Sequence, residues 1–138
     1  MHNAQCTLKA AVCVVALSTL ACGGTSGKLT ELQRVTSGGM HIVMLSPHEG
    51  LRHGKDAFVL EFRSVSEGSL VDVGAVRGSA SMPMPGMAMM GAIDVRPTAV
   101  KGRYEADSEL EMAGTWRMTL SWEGPRGQGS VTFTGSVQ

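Results

Sequence analysis

From residue 40 onward, hydrophobic and polar positions alternate with a period of two, the mark of strands that bury one face. Residues 115–123 (TWRMTLSWE) show it most clearly. Trp116, Met118, Leu120 and Trp122 take one face, and Thr115, Arg117, Thr119 and Ser121 take the other. Residues 57–63 (AFVLEFR) place Phe58, Leu60 and Phe62 inward, with Val59, Glu61 and Arg63 outward. Residues 130–137 place Val131, Phe133 and Val137 inward, and Tyr104 and Ala106 share a face in residues 103–106. Shorter β-rich runs lie at residues 41–45 (HIVML), 70–76 (LVDVGAV) and 92–95, each bounded by turn residues. The pattern predicts an all-β domain of seven short strands over residues 40–138, arranged as an immunoglobulin-like β-sandwich. Its core is expected to include Met44 and Met118.

Before residue 40 the pattern changes twice. Lys9 precedes an unbroken apolar run at residues 10–17 (AAVCVVAL), and residues 18–24 (STLACGG) are small and weakly polar. Charge, short apolar core and small-residue junction in that order make a secretory signal, and the run is too short to span a bilayer. Ala21-Cys22-Gly23-Gly24 resembles the bacterial lipobox, in which the cysteine is lipidated and becomes the mature N-terminus. Thr19 and Ala21 also make a small-residue site for ordinary signal cleavage. The expected organisation is a lipoprotein-type signal at residues 1–21, a flexible Gly-bounded tether at 22–39 and the β domain at 40–138. This places the protein in the bacterial cell envelope, as a periplasmic or outer-membrane lipoprotein held to the membrane by its lipid. Cys6 and Cys13 fall inside the signal, so the mature chain keeps only Cys22 and has no internal disulfide.

Composition narrows the function. The 18 glycines suit tight turns and are costly inside helices. Twelve basic residues balance twelve acidic ones, with no basic tract, which removes the electrostatic case for nucleic acid. No nucleophile elbow, P-loop or dinucleotide fingerprint is present, so the expectation is a protein that is not an enzyme. Glu105, Asp107, Glu109 and Glu111 alternate and read as a solvated outer face.

One stretch stands apart. Residues 82–90 (MPMPGMAMM) hold five of the ten methionines and two of the five prolines. Pro83 and Pro85 lack the N–H that a helix interior or a central strand needs, which makes the run a loop or an edge. Pro85-Gly86 fits the centre of a type II turn, folding Met87 back across from Met84, while Met82 and Met84 share a side. Thioethers gathered this way form a soft, uncharged donor set that selects Cu(I) over harder cations. The alternative is that they are flexible packing, a common use of methionine.

The order MPMPGM, then Gly102-Arg103-Tyr104, then residues 110–116 (LEMAGTW) resembles the YtkA-like domain family. The resemblance implies an extracytoplasmic immunoglobulin-like domain associated with copper, often a lipoprotein or an appendage of heavy-metal efflux adaptors. It assigns the Met-rich segment to Met82, Met84, Met87, Met89 and Met90, and the corner methionine to Met112. Several relatives place histidine in that segment, where this chain has Met-Ala-Met-Met, and a thioether-only set favours Cu(I) over Cu(II). The implied partners are a metal-efflux or oxidase-assembly protein.

Of the remaining candidates, His41 sits beside Met40 and reaches the metal site if the first strand ends near the Met segment. His48 and His53 match no zinc spacing and read as solvated. Met112 is either a ligand or corner packing against Trp116. A reading from another class is a metal-free interaction module whose methionines form an adaptable contact surface for a protein.

Cys22→Ser removes the lipid acceptor and should move the mature protein from the membrane fraction to the soluble one. Unchanged fractionation, or a mature terminus elsewhere by mass spectrometry, rejects the anchor.

Overall fold

The computed structural model describes residues 27–138. The expected signal at residues 1–21, the lipidation site Cys22 and the first part of the tether lie outside the described residues. Eight strands follow: β1 (Thr30–Ser37), β2 (Met40–Ser46), β3 (Gly54–Ser64), β4 (Ala75–Met84), β5 (Met87–Pro97), β6 (Arg103–Leu110), β7 (Gly114–Gly124) and β8 (Gly127–Val137). They form one sheet in the order β1-β2-β3-β6-β5-β4-β7-β8, with every neighbour antiparallel.

The alternation along each strand explains the sheet's shape. Ile42, Phe58, Leu60, Phe62, Ala106, Trp116, Met118, Leu120 and Phe133 all lie on one face and are buried. An antiparallel sheet with a single apolar face must cover that face with itself or with another layer. Here it curls over itself. Phe62 on β3 packs edge-to-face on Trp122 of β7 at 5.3 Å between ring centroids, although β6, β5 and β4 separate those strands in the sheet. Phe62 also packs edge-to-face on Tyr104 of the adjacent β6 at 5.5 Å. The result is nearly a barrel. At one end the β2–β3 connection latches onto the last strand: the Gln138 N–H donates to the Leu51 carbonyl at 2.9 Å, and the His53 N–H donates to the Gln138 main-chain oxygen at 2.7 Å.

The all-β class and the inward faces of β3, β6, β7 and β8 agree with the alternation pattern. The strand count is eight rather than seven, and one continuous sheet stands where the seven-stranded immunoglobulin-like sandwich was expected. Part of the expected tether is strand: residues 30–37 pair with β2 along its length, so regular structure begins before residue 40. Ser-Gly-Gly at residues 37–39 reads as linker but closes the β1–β2 hairpin, with Gly38 at φ 58° and Gly39 at φ 74°. Of the expected third strand over residues 70–76, residues 71–74 are instead a crossing segment and residues 75–76 begin β4. The Val71 N–H donates to the Phe62 carbonyl, and Val73 is buried. Gly74 then turns the chain into β4 at φ 80°, where a Cβ would meet the Glu123 carbonyl at 2.5 Å. Buried valines imitate a strand in sequence, but pairing with β3 stops after the Leu70–Arg63 bridge and the Val71 N–H.

Trp116 is fully buried, so Trp116→Ala should cost about 3–5 kcal/mol. Thr119, whose hydroxyl meets Thr132 Oγ1 on the outer face, should lose less than about 1 kcal/mol on truncation to Ala. Denaturant melts of the two variants check the assignment of faces, and equal shifts would reject it.

Tyr104 is the chain's single tyrosine, and its hydroxyl donates to the Gly74 carbonyl at 2.6 Å. Burial, and then the charge of Asp72, hold its phenol above the ordinary value. The neutral form is thus favoured by folding, so its contribution is complete below about pH 10 and is lost as pH rises through the folded midpoint. Absorbance titration should give a higher midpoint for folded than for denatured protein. Equal midpoints would contradict the buried phenol.

Candidate functional site: a methionine ribbon

The Met-rich segment is not a loop. It is the end of the β4–β5 hairpin, paired as Met82 with Met89, Pro83 with Ala88, and Met84 with Met87. Pro85 and Gly86 form the two-residue turn, with Gly86 at φ 82° and no non-glycine residue at positive φ among the described residues, the sign pattern of a type II turn. In such a hairpin the pair beside the turn exchanges hydrogen bonds, and the next pair directs its backbone groups outward. Pro83 therefore lacks a donor on the side facing β7. The β4–β7 ladder accordingly ends at Ser81–Arg117, and the β5–β6 ladder begins only at Ala92–Glu109. Beyond those pairs the hairpin continues as a free two-stranded ribbon. The prolines that argue against a central strand are tolerated because the strand is central only as far as Ser81.

Register sorts the methionines by face. Ala80, Met82 and Met84 on β4 lie opposite Gly91, Met89 and Met87 on β5, all on the side that faces the barrel interior lower down. Met82, Met84, Met87 and Met89 thus form a ladder of two cross-strand pairs, with Cβ atoms about 5 Å apart within each pair. Met90, paired with Ser81, falls on the opposite face. Exposure grades along the ladder: Met82 is 8% exposed, Met84 40% and Met87 72%. Met89 is half-buried against the core.

Glycines seat the base of the ribbon. A Cβ at Gly91 would meet Leu110 Cδ2 at 2.5 Å and Trp116 Cζ3 at 3.0 Å, so only glycine lets these side chains close the core beneath it. A Cβ at Gly114 would lie 3.3 Å from the Met82 Sδ, so the deepest thioether rests against the start of β7. The β6–β7 corner that carries Met112 stands next to that point. The Trp116 indole N–H donates to the Met112 carbonyl at 3.0 Å, which pins the corner, while the Met112 side chain remains 40% exposed. No charged residue occurs in residues 82–91, so the donor set is neutral and soft. Thioethers on one face suit Cu(I), which accepts neutral sulfur donors without deprotonation.

The histidines are placed differently from expectation. His41 lies at the start of β2, paired with Thr36 and Arg63, at the end of the barrel away from the ribbon. Its Nδ1 is 2.8 Å from Thr36 Oγ1. The strand ends that join the ribbon's end are those of β6, β8 and the β2–β3 connection, which carries His48 and His53. These two line an open cleft of about 600 Å³ with Glu49, Arg52 and Gln138. His53 Nδ1 donates to the Gln138 main-chain oxygen at 2.9 Å. Antiparallel direction alone decides which histidines share the ribbon's end, and no sequence spacing reports it. Among the described residues, no three His, Cys, Asp or Glu side chains gather closely enough to hold a metal. The alternating carboxylates of β6 face outward, where Asp107 pairs with Arg96 at 2.5 Å.

Among the described residues no helix is long and apolar enough to cross a membrane. No curated protein matches the chain in sequence. Among solved structures, as-isolated FetP of uropathogenic E. coli strain F11, expressed in the periplasm of E. coli, is similar at a TM-score of 0.47 and 14% identity, over 79% of this chain and 95% of that one. The YtkA-like family matches residues 37–121, from the end of β1 through most of β7, including the whole ribbon and the Met112 corner. With well over half of its length matched, this chain belongs to the YtkA-like family.

Proposed function

We propose that this protein is an extracytoplasmic, membrane-tethered domain that binds Cu(I) on the inner face of its methionine ribbon and hands it to a protein partner. The observation that supports this most is the register that gathers Met82, Met84, Met87 and Met89 on one face of a projecting hairpin. Met82 and Met89 would hold the ion at the base, Met84 and Met87 toward the tip, with Met112 at the adjoining corner. The gradient from a buried to an exposed thioether suits transfer, since the outer sulfurs are accessible to a partner while the inner ones are shielded. A metal-efflux or oxidase-assembly protein is the class of partner that fits a cuprous donor outside the cytoplasm. The reading includes no catalytic step.

Anaerobic competition against a Cu(I) chelator tests it. Leucine deletes the sulfur and preserves volume. Met84→Leu and Met87→Leu should each weaken binding by about tenfold or more, roughly 1.4 kcal/mol. Met90→Leu, on the other face, and Met118→Leu, in the core, should leave it unchanged. If the wild type does not compete for Cu(I), copper binding is rejected and the exposed methionines are better explained as a contact surface for a protein.

A further inference from the structure

The ribbon combines two features that copper binding alone does not require together: methionines largely exposed to solvent, and a division of those methionines between two faces. Met87 is 72% exposed and Met90 66%, against 8% for Met82, 2% for Met44 and 1% for Met118. We propose that the ribbon is also a site of reversible methionine oxidation, in which a two-electron oxidant such as a peroxide converts Met87 to its sulfoxide and switches off the metal face. The proposal rests on the Cu(I) reading above.

The chemistry is simple oxygen transfer. The thioether lone pair attacks a peroxide oxygen, an S–O bond forms and the O–O bond breaks. Sulfur is oxidised by two electrons and the peroxide is reduced to water. A sulfoxide presents a polar oxygen in place of a soft lone pair, so it is a poor ligand for Cu(I). Methionine sulfoxide reductases reverse the change.

Position determines the consequence. Oxidation at Met44 or Met118 would put a polar group into the core and damage the fold, but both are shielded. Met87 lies beyond the last ladder pairs with both β6 and β7, and Met90 lies beyond the last pair with β6 and level with the Ser81–Arg117 pair; both are exposed, so a sulfoxide there meets water rather than packed side chains. Although the two are almost equally exposed, only Met87 shares the face of Met82, Met84 and Met89. Oxidation of Met87 should therefore release the metal, whereas oxidation of Met90 consumes oxidant without effect on it. The two residues form a matched pair within one hairpin.

The test treats the metal-free mature chain with hydrogen peroxide for graded times, then divides it between fragment-resolved mass spectrometry and Cu(I) competition. Residues 78–101 form one tryptic peptide, because Arg96 precedes Pro97, so fragmentation is needed to separate the five sulfurs. Met87 and Met90 should oxidise together and severalfold faster than Met82. Loss of Cu(I) affinity should follow Met87 sulfoxide, proceed equally in Met90→Leu, and reverse with sulfoxide reductases. Ag(I), a soft ion without the redox chemistry of copper, should protect Met87 and leave Met90 reactive. Equal rates at Met82 and Met87, affinity loss that follows Met90, or full affinity after Met87 is oxidised would each overturn the proposal. If the untreated chain itself fails to bind Cu(I), the metal reading fails and the switch with it. That result is distinct from an untreated chain that binds and an oxidised one that still does.

Discussion

A sheet with one apolar face has to hide it, and in this protein that requirement shapes everything else. The strands supply inward side chains but, among the described residues, no helix covers them, and the sheet curls until Phe62 on one wall meets Trp122 on the other. Where all strands are present, the inner face is buried and packed. Where the β4–β5 hairpin outruns its neighbours, the same face continues into solvent with thioethers in place of aromatic rings. The candidate site is therefore the open end of the core's own inner surface, which explains why Met82 is buried and Met87 is not although both lie on one face of a single hairpin.

Two small residues control where the core stops. Pro83 withholds one backbone donor, and the ladder to β7 ends beside it. Gly91 leaves out one Cβ, and Leu110 and Trp116 close the interior beneath the ribbon. With an ordinary residue in place of Pro83, the ladder would have a donor with which to continue, and more of the methionine face would be drawn against β7. The exposure gradient that makes the site chemically usable thus follows from local backbone chemistry. Methionine suits such a place because it is apolar enough to extend the core and still carries a donor atom at its end.

The same geometry separates roles among identical residues. Ten methionines share one chemistry, yet Met44 and Met118 are core, Met82, Met84, Met87 and Met89 are a candidate donor face, and Met90 points away from them. Parity along the strand and distance from the last ladder pair decide which is which. Trp116 links the two regions, because its ring packs under Gly91 while its N–H pins the Met112 carbonyl.

Much of this was legible in the chain. Alternation assigned the inward faces of β3, β6, β7 and β8, because a period of two survives any arrangement of strands. Pro85-Gly86 marked the turn that sets Met87 across from Met84, because its φ preferences are local. The motif order also identified the family. What the sequence could not carry was neighbour identity. Residues 70–76 look like one strand but residues 71–74 cross between strands, residues 30–37 look like a tether but find β2, and the strands join in one curled sheet. His41 adjoins Met40 in the chain yet lies at the far end from the ribbon, while His48 and His53 are brought to the near end by strand direction. A strand is defined by its partner as much as by its residues, and the pairing energy that selects partners is spread over the whole sheet rather than written in any one segment.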